Sequence, residues 1–228
     1  LQLGPRRATL RRVPIQSDED KLGVYRDPAV AARYDERWNS AGGRRRDERK
    51  RRAVERGLAR LGKLDSVLDI PCGAGRFTNW LSAAVPRYFG GDAAFAMLQQ
   101  TRAKSAVPLV CADLARLPLR DASVDGVACI RLFHLVRDAQ LRVAFLREMG
   151  RVARLGLVVD YRHDRALKPL WARVRAALGL RDHAPNALSH AEILSELDAA
   201  GLEFVAFEPV RKLPYLSDKV VVVARRRA

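Results

Sequence analysis

The chain has 228 residues, 48% hydrophobic and 30% charged, which is enough apolar material for a core and unlike a disordered chain. No apolar run approaches the roughly 18 residues of a membrane-spanning helix, and no apolar leader segment is read at the start. The net charge of +16 raises nucleic acid as a partner, while the scattered Cys72, Cys111 and Cys129 form no CxxC pair, so neither a disulfide framework nor a metal site is expected and the expected setting is cytoplasmic.

Residues 1–20 read as an irregular basic arm, with Pro5, Pro14 and the acidic run Asp18-Glu19-Asp20. Residues 21–62 read as a helical lid region. A short helix over 28–39 carries Tyr34 and Trp38, Gly42-Gly43 breaks it, and a second helix runs over 47–61. Val54, Leu58 and Leu61 share one face of that second helix, and Gly62 follows its end. From residue 63 to 228 one domain is expected. Strands over 67–70, 88–92, 109–112, 124–130 and 155–160 alternate with helices over 76–84, 94–104 and 138–152, the pattern of a parallel sheet covered on both faces. An insert over 161–188 holds Arg162, His163, Trp171 and His183. Ser189 and Glu192 suit a capping box for a helix ending at Gly201. The strand-like runs 203–208 and 219–224 leave no room for a helix between them, so they should pair antiparallel.

Charge is unevenly placed along this order. Residues 1–60 carry 17 basic against 9 acidic groups, and most of the cations are arginine. The excess lies mainly on the N-terminal part and the tail, and the middle is only mildly basic.

The most informative stretch is Val67-Leu68-Asp69-Ile70-Pro71-Cys72-Gly73-Ala74-Gly75-Arg76-Phe77-Thr78. An apolar strand ends on an acid, turns through two glycines and opens a helix. Glycine permits the tight turn and a close approach of ligand to backbone. Asp92 closes the second strand 19 positions after Gly73, where a carboxylate can accept from both hydroxyls of a ribose. Asp113 closes the third strand and can accept from an adenine amino group, with apolar neighbours such as Leu114 to sandwich the ring. Ligands of open α/β sheets bind at the carboxyl ends of the strands, and Asp92, Asp113 and Arg131 all fall on that rim. A nicotinamide cofactor fits poorly: Thr78 stands where the dinucleotide fingerprint has its third glycine, and Asp69 would repel a pyrophosphate.

With these pieces in order, the sequence resembles the class I S-adenosylmethionine (SAM)-dependent methyltransferases, of the small-molecule and ubiquinone-biosynthesis-like type. The resemblance rests on VLDIPCGAGRF (67–77), GGDAAFAML (90–98), CADLARLPLRDASVDGVACIRLFH (111–134) and SHAEILSELDAAGLEFV (189–205). It implies a Rossmann-like seven-stranded sheet of order 3-2-1-4-5-7-6 with strand 7 antiparallel and helices on both faces. It further implies SAM as cofactor and S-adenosylhomocysteine as product. Asp69 and the Gly73-Ala74-Gly75 turn would sit at the methionine end, Asp92 at the ribose, and Asp113 and the Leu114 amide at the adenine. Ala93 and Met97 would lie beside the adenine, the backbone of Ile130 and Arg131 under the methionine end, and Arg44 or Arg49 against the SAM carboxylate.

The acceptor side is less defined. His134, just past the fourth strand, is the first candidate for a general base, against the plainer role of a helix-start histidine; His163 is the second. Tyr25, Tyr34, Trp38, Tyr161 and Trp171 are candidate acceptor contacts, with packing as the alternative for each. The expected partner is a small-molecule acceptor. RNA is the alternative, motivated by the basic arm. Against it, Ile130-Arg131-Leu132-Phe133 stands where base-amino methylation has an Asn- or Asp-Pro-Pro-aromatic motif, and Cys129 lacks the Pro-Cys context of cytosine-C5 chemistry. A non-catalytic SAM-binding module is the third reading.

Overall fold

The computed structural model describes residues 22–166, 171, 186–211 and 217–227. The 1–20 arm, His183 and most of the 161–188 insert lie outside them. Seven strands form one sheet: β1 (Ser66–Asp69), β2 (Arg87–Asp92), β3 (Leu109–Cys111), β4 (Val124–Cys129), β5 (Ala153–Arg162), β6 (Leu202–Pro209) and β7 (Lys219–Arg226). Their order is 3-2-1-4-5-7-6. Strands β1 to β5 pair in parallel, while β7 runs antiparallel to both β5 and β6. This is the sheet expected from the sequence.

Six α-helices accompany it among the described residues: α1 (Pro28–Ala32), α2 (Ala41–Ala59), α3 (Thr78–Ala84), α4 (Phe95–Arg102), α5 (Ala139–Val152) and α6 (His190–Ala199). Both hydrogen bonds of the Ser189–Glu192 capping box form at the start of α6. Side chains alternate across each buried strand, so the sheet has two cores. Leu68, Val127, Val159 and Val222 face Leu146 and Met149 of α5 and Ile193 and Leu197 of α6. Val67, Ala128, Val158 and Val223 face Val54 and Leu58 of α2 and Leu81 of α3.

The N-terminal region differs from its sequence reading. The expected helix over 28–39 stops after Ala32, and a 3-10 turn over Asp35–Trp38 follows. Gly42-Gly43 does not break a helix but lies inside the first turn of α2. Ser40 caps that turn by accepting from the Gly43 amide at 3.1 Å. Gly43 is required by close approach, since a Cβ there would lie 2.2 Å from the Trp38 carbonyl oxygen. Helix α2 is therefore packed into the sheet, where a Cβ on Gly57 would press on Val158, Val221 and Val223.

Candidate active site

Strand β1 delivers Asp69 to the sheet rim with 1% of its surface exposed. The Tyr88 hydroxyl, from β2, donates to Asp69 Oδ2 at 2.9 Å. Thr78 Oγ1 lies 2.9 Å from the same hydroxyl and, with the tyrosine proton committed, is the donor to it. Burial pushes the Asp69 carboxyl up to about 7, in part because Asp92 stands nearby. The turn that follows uses Gly73 at φ +60° and Gly75 at φ +78°, a region where a side chain is strained. A Cβ on Gly75 would also meet Thr101 at 3.1 Å. Thr101 Oγ1 locks the turn by donating to the Gly73 carbonyl at 2.7 Å.

Asp92 ends β2 and is clamped at both oxygens. Oδ2 accepts from the Gly73 amide at 2.9 Å and Oδ1 from the Ala94 amide at 2.8 Å. Each oxygen keeps lone pairs for a further donor. Burial raises its pKa against the pull of those two amides. Asp113, exposed, accepts from the Ala115 amide at 2.9 Å.

These groups line one cavity of about 400 Å³, within the range of small-molecule sites. Asp69, Gly73, Asp92, Ala93, Met97, Asp113, Leu114, Ile130 and Arg131 all border it. Ala74 and Gly75 shape the turn from behind and do not border it. Leu132, Leu135, Leu141 and Phe145 make its floor apolar, and Tyr25 and Tyr34 border it from the N-terminal segment, ring centroids 5.9 Å apart.

Arg131 marks a strained point on the rim. It follows β4 with φ +70°, unusual for a residue with a Cβ. Its guanidinium lies 3.9 Å from the ring centroid of Trp38, and Arg76 lies 4.5 Å from that same ring. Asp47 of α2 accepts from both arginines. Even so, Arg131 Nε and Nη1 and Arg76 Nε are buried without a partner among the described residues. Both arginines border the cavity.

Several residues singled out from the sequence stand away from this cavity. Arg44 and Arg49 do not border the cavity; Arg44 donates to the Asn39 carbonyl at the start of α2. The arginines at the cavity are Arg26, Arg76 and Arg131. Arg76 was visible directly after the glycine turn, and its distance from α2 in the chain hid its contact with Asp47. Tyr161 does not border the cavity: it is 1% exposed, packs on Phe133 and donates to Glu196 Oε2 at 3.0 Å. Trp38 touches the cavity only through Arg131 and Arg76. Trp171 is 67% exposed and does not border the cavity. His134 does not border it either. Burial holds its imidazole down at about 4, with Asp160 partly opposing that shift. His163 lies at a separate cavity at the ends of β5 and β6.

Residues 67–156 match a protein-family model described as a methyltransferase domain. The fold agrees with that match. Over those residues the chain resembles a methyltransferase domain. Among solved structures it is similar to magnesium protoporphyrin IX methyltransferase from Synechocystis PCC 6803 with bound S-adenosylhomocysteine, at 17% identity and TM-score 0.68, covering 92% of this chain and 100% of that one. It is also similar to a SAM-dependent methyltransferase from Aquifex aeolicus, at 21% identity and TM-score 0.60, covering 88% and 99% of the two chains. A third, from Clostridium acetobutylicum, shows 14% identity and TM-score 0.64 over 88% and 98%. No curated protein matches the chain.

The cavity presents three polar features. The buried Asp69 carboxyl is a counter-charge in want of a cation. The unpartnered arginine donors are suited to a carboxylate. The free lone pairs of Asp92 are suited to two hydroxyls.

Proposed function

We propose that this methyltransferase moves the methyl group of SAM to an oxygen, nitrogen or carbon nucleophile of a small-molecule acceptor. The observation that carries this reading is the cavity itself. It is of small-molecule size, it gathers the three strand-end acids, and its remaining wall is the apolar set Leu132, Leu135, Leu141 and Phe145 under Tyr25 and Tyr34. Asp69 would hold the amino group of SAM, Arg131 and Arg76 its carboxylate, Asp92 the ribose and Asp113 the adenine.

When bound, SAM supplies a methyl group on a sulfonium, already a strong electrophile. The residues of this chain then have to exclude water and align the nucleophile, a contribution of about 7–11 kcal/mol in well-oriented cases. A base is required only for an acceptor that must lose a proton. No role for His134 is invoked, since its ring stands off the cavity.

The test is twofold. Isothermal calorimetry with SAM should give saturable binding. Methyl-labelled SAM, incubated with extract fractions of metabolites, RNA and protein, should label the metabolite fraction. Label in RNA alone would overturn the small-molecule reading and favour the alternative raised by the basic arm.

A further inference from the structure

A second cavity, of about 290 Å³, opens on the same rim of the sheet beyond β5. It is built where three strands end together. Lys219 opens β7 opposite Arg162 of β5, and β6 finishes at Pro209. The His163 amide donates to the Asp218 carbonyl at 2.9 Å. The Leu188 amide donates to the Arg162 carbonyl at 3.0 Å, which brings the start of α6 beside the end of β5.

The lining is cationic. Arg165, Arg211 and Lys219 border the cavity with His163, His190 and Ser217, and no carboxylate borders it among the described residues. None of those three cations has a carboxylate within salt-bridge distance among the described residues. Of the acids beside the cavity, Asp218 is engaged by Arg162 at 3.4 Å, and Asp164 acts on His163 and His190 without bordering the cavity. His163 is 6% exposed and its Nδ1 has no partner among the described residues. His190 is held in place by stacking on Phe207 at 4.0 Å and by an edge contact with His163 at 5.6 Å. As the first residue of α6, it also stands at the positive end of that helix. Cationic side chains lining a cleft whose described wall carries no carboxylate suit an anion with several acceptor oxygens.

We infer that this cavity seats an anionic group of the methyl acceptor, a phosphate or a carboxylate. The inference rests on the reading of the chain as a small-molecule methyltransferase and adds the acceptor's charge to it. Lys219 feels both Asp160 and Arg131, so the cavity and the cofactor site are neighbours along one rim. An acceptor held by its anionic end beyond β5 would extend along that rim, with its nucleophile toward the SAM site.

Histidine-selective NMR on the full chain tests this with inorganic phosphate, and separately with acetate, as the probes. Saturating shifts of the His163 and His190 ring resonances are expected for at least one probe, with a dissociation constant of the order of 1 mM. Phosphate alone would name a phosphorylated acceptor, and acetate alone a carboxylic one. The double variant Arg165→Gln/Arg211→Gln, altered only at exposed side chains, should weaken that binding about tenfold or more and leave SAM affinity unchanged. No saturable shift with either probe, or the same shift in the variant, would overturn the inference. A wild-type chain that binds no SAM would refute methyl transfer and the acceptor assignment together, in a measurement independent of the anion titrations.

Discussion

Asp69→Asn should make the protein more stable and less able to hold SAM. An unfolded aspartate titrates near 3.8, whereas burial holds Asp69 at about 7 in the folded chain. A folded pKa above the unfolded one means that the native state binds the proton more tightly. The stability this group contributes is therefore complete below pH 3.8 and is lost as pH rises through 7. The gap of about 3 pH units corresponds to roughly 4 kcal/mol. Asparagine keeps an oxygen for the Tyr88 hydroxyl and never ionises. Below pH 3.8 the variant and the wild type should differ little, and by pH 5 the variant should already lead by about 1–2 kcal/mol. At pH 8 the variant should be more stable by up to about 4 kcal/mol, or several degrees at roughly 2–4 °C per kcal/mol for a domain of this size. Urea denaturation at a series of pH values reads the first effect. Calorimetry reads the second: SAM should bind the variant far more weakly, and its binding to the wild type should weaken as pH falls below 7. Parallel stability curves for the two proteins between pH 5 and 8 would refute a buried carboxyl whose pKa is raised in the folded chain.

Asp92→Ala removes the ribose acceptor and leaves the Gly73 and Ala94 amides without their partner; at about 1.5–3 kcal/mol for each hydrogen bond to a charged group, SAM affinity should fall at least 100-fold by calorimetry. Lys50→Met leaves the buried Asp160 carboxylate unpaired and should cost about 3–5 kcal/mol in urea denaturation, most of it regained in the Lys50→Met/Asp160→Asn double variant; additive losses would contradict a closed ion pair. Arg131→Gly and Arg131→Ala should weaken SAM binding alike, but the glycine variant should be the more stable by about 1 kcal/mol because it accepts φ +70° freely; equal stabilities would speak against backbone strain at this position.

The strands, the capping box and the three strand-end acids were legible because each depends on residues close in sequence, whereas the sheet order came from the family resemblance. A hydrophobic strand, a turn and an acid at its end need no distant partner to be read. The arginine clasp was not legible. Asp47 is separated from Arg131 by four strands, and only the packing of α2 against β5 and β7 brings them together. Tyr161 shows a different difficulty. It neighbours Asp160 in sequence, but successive strand residues face opposite sides. Asp160 meets Lys50 under α2, while Tyr161 points to Glu196 of α6 and the Arg142 guanidinium that Glu196 binds. Gly42-Gly43 misled because two glycines signal a break on average, whereas here the second leaves room for the Trp38 carbonyl.

The anchoring of α2 decides how a ligand could reach the methyltransferase cavity. This helix is pinned through its length by the Lys50–Asp160 pair, by Val54 and Leu58 in the sheet core, and by Arg56 and Arg60 on Glu208. Swinging it away would strip one face of β5 and β7. The stretch from residue 22 to Trp38 is held differently, by Asp35 on Lys104, by Trp38 under Arg131 and Arg76, and by Ala31 against Ala74, Ala94 and Met97. Opening the cavity on that side would mean breaking one half-exposed ion pair and two cation–π contacts, and no strand would lose its cover.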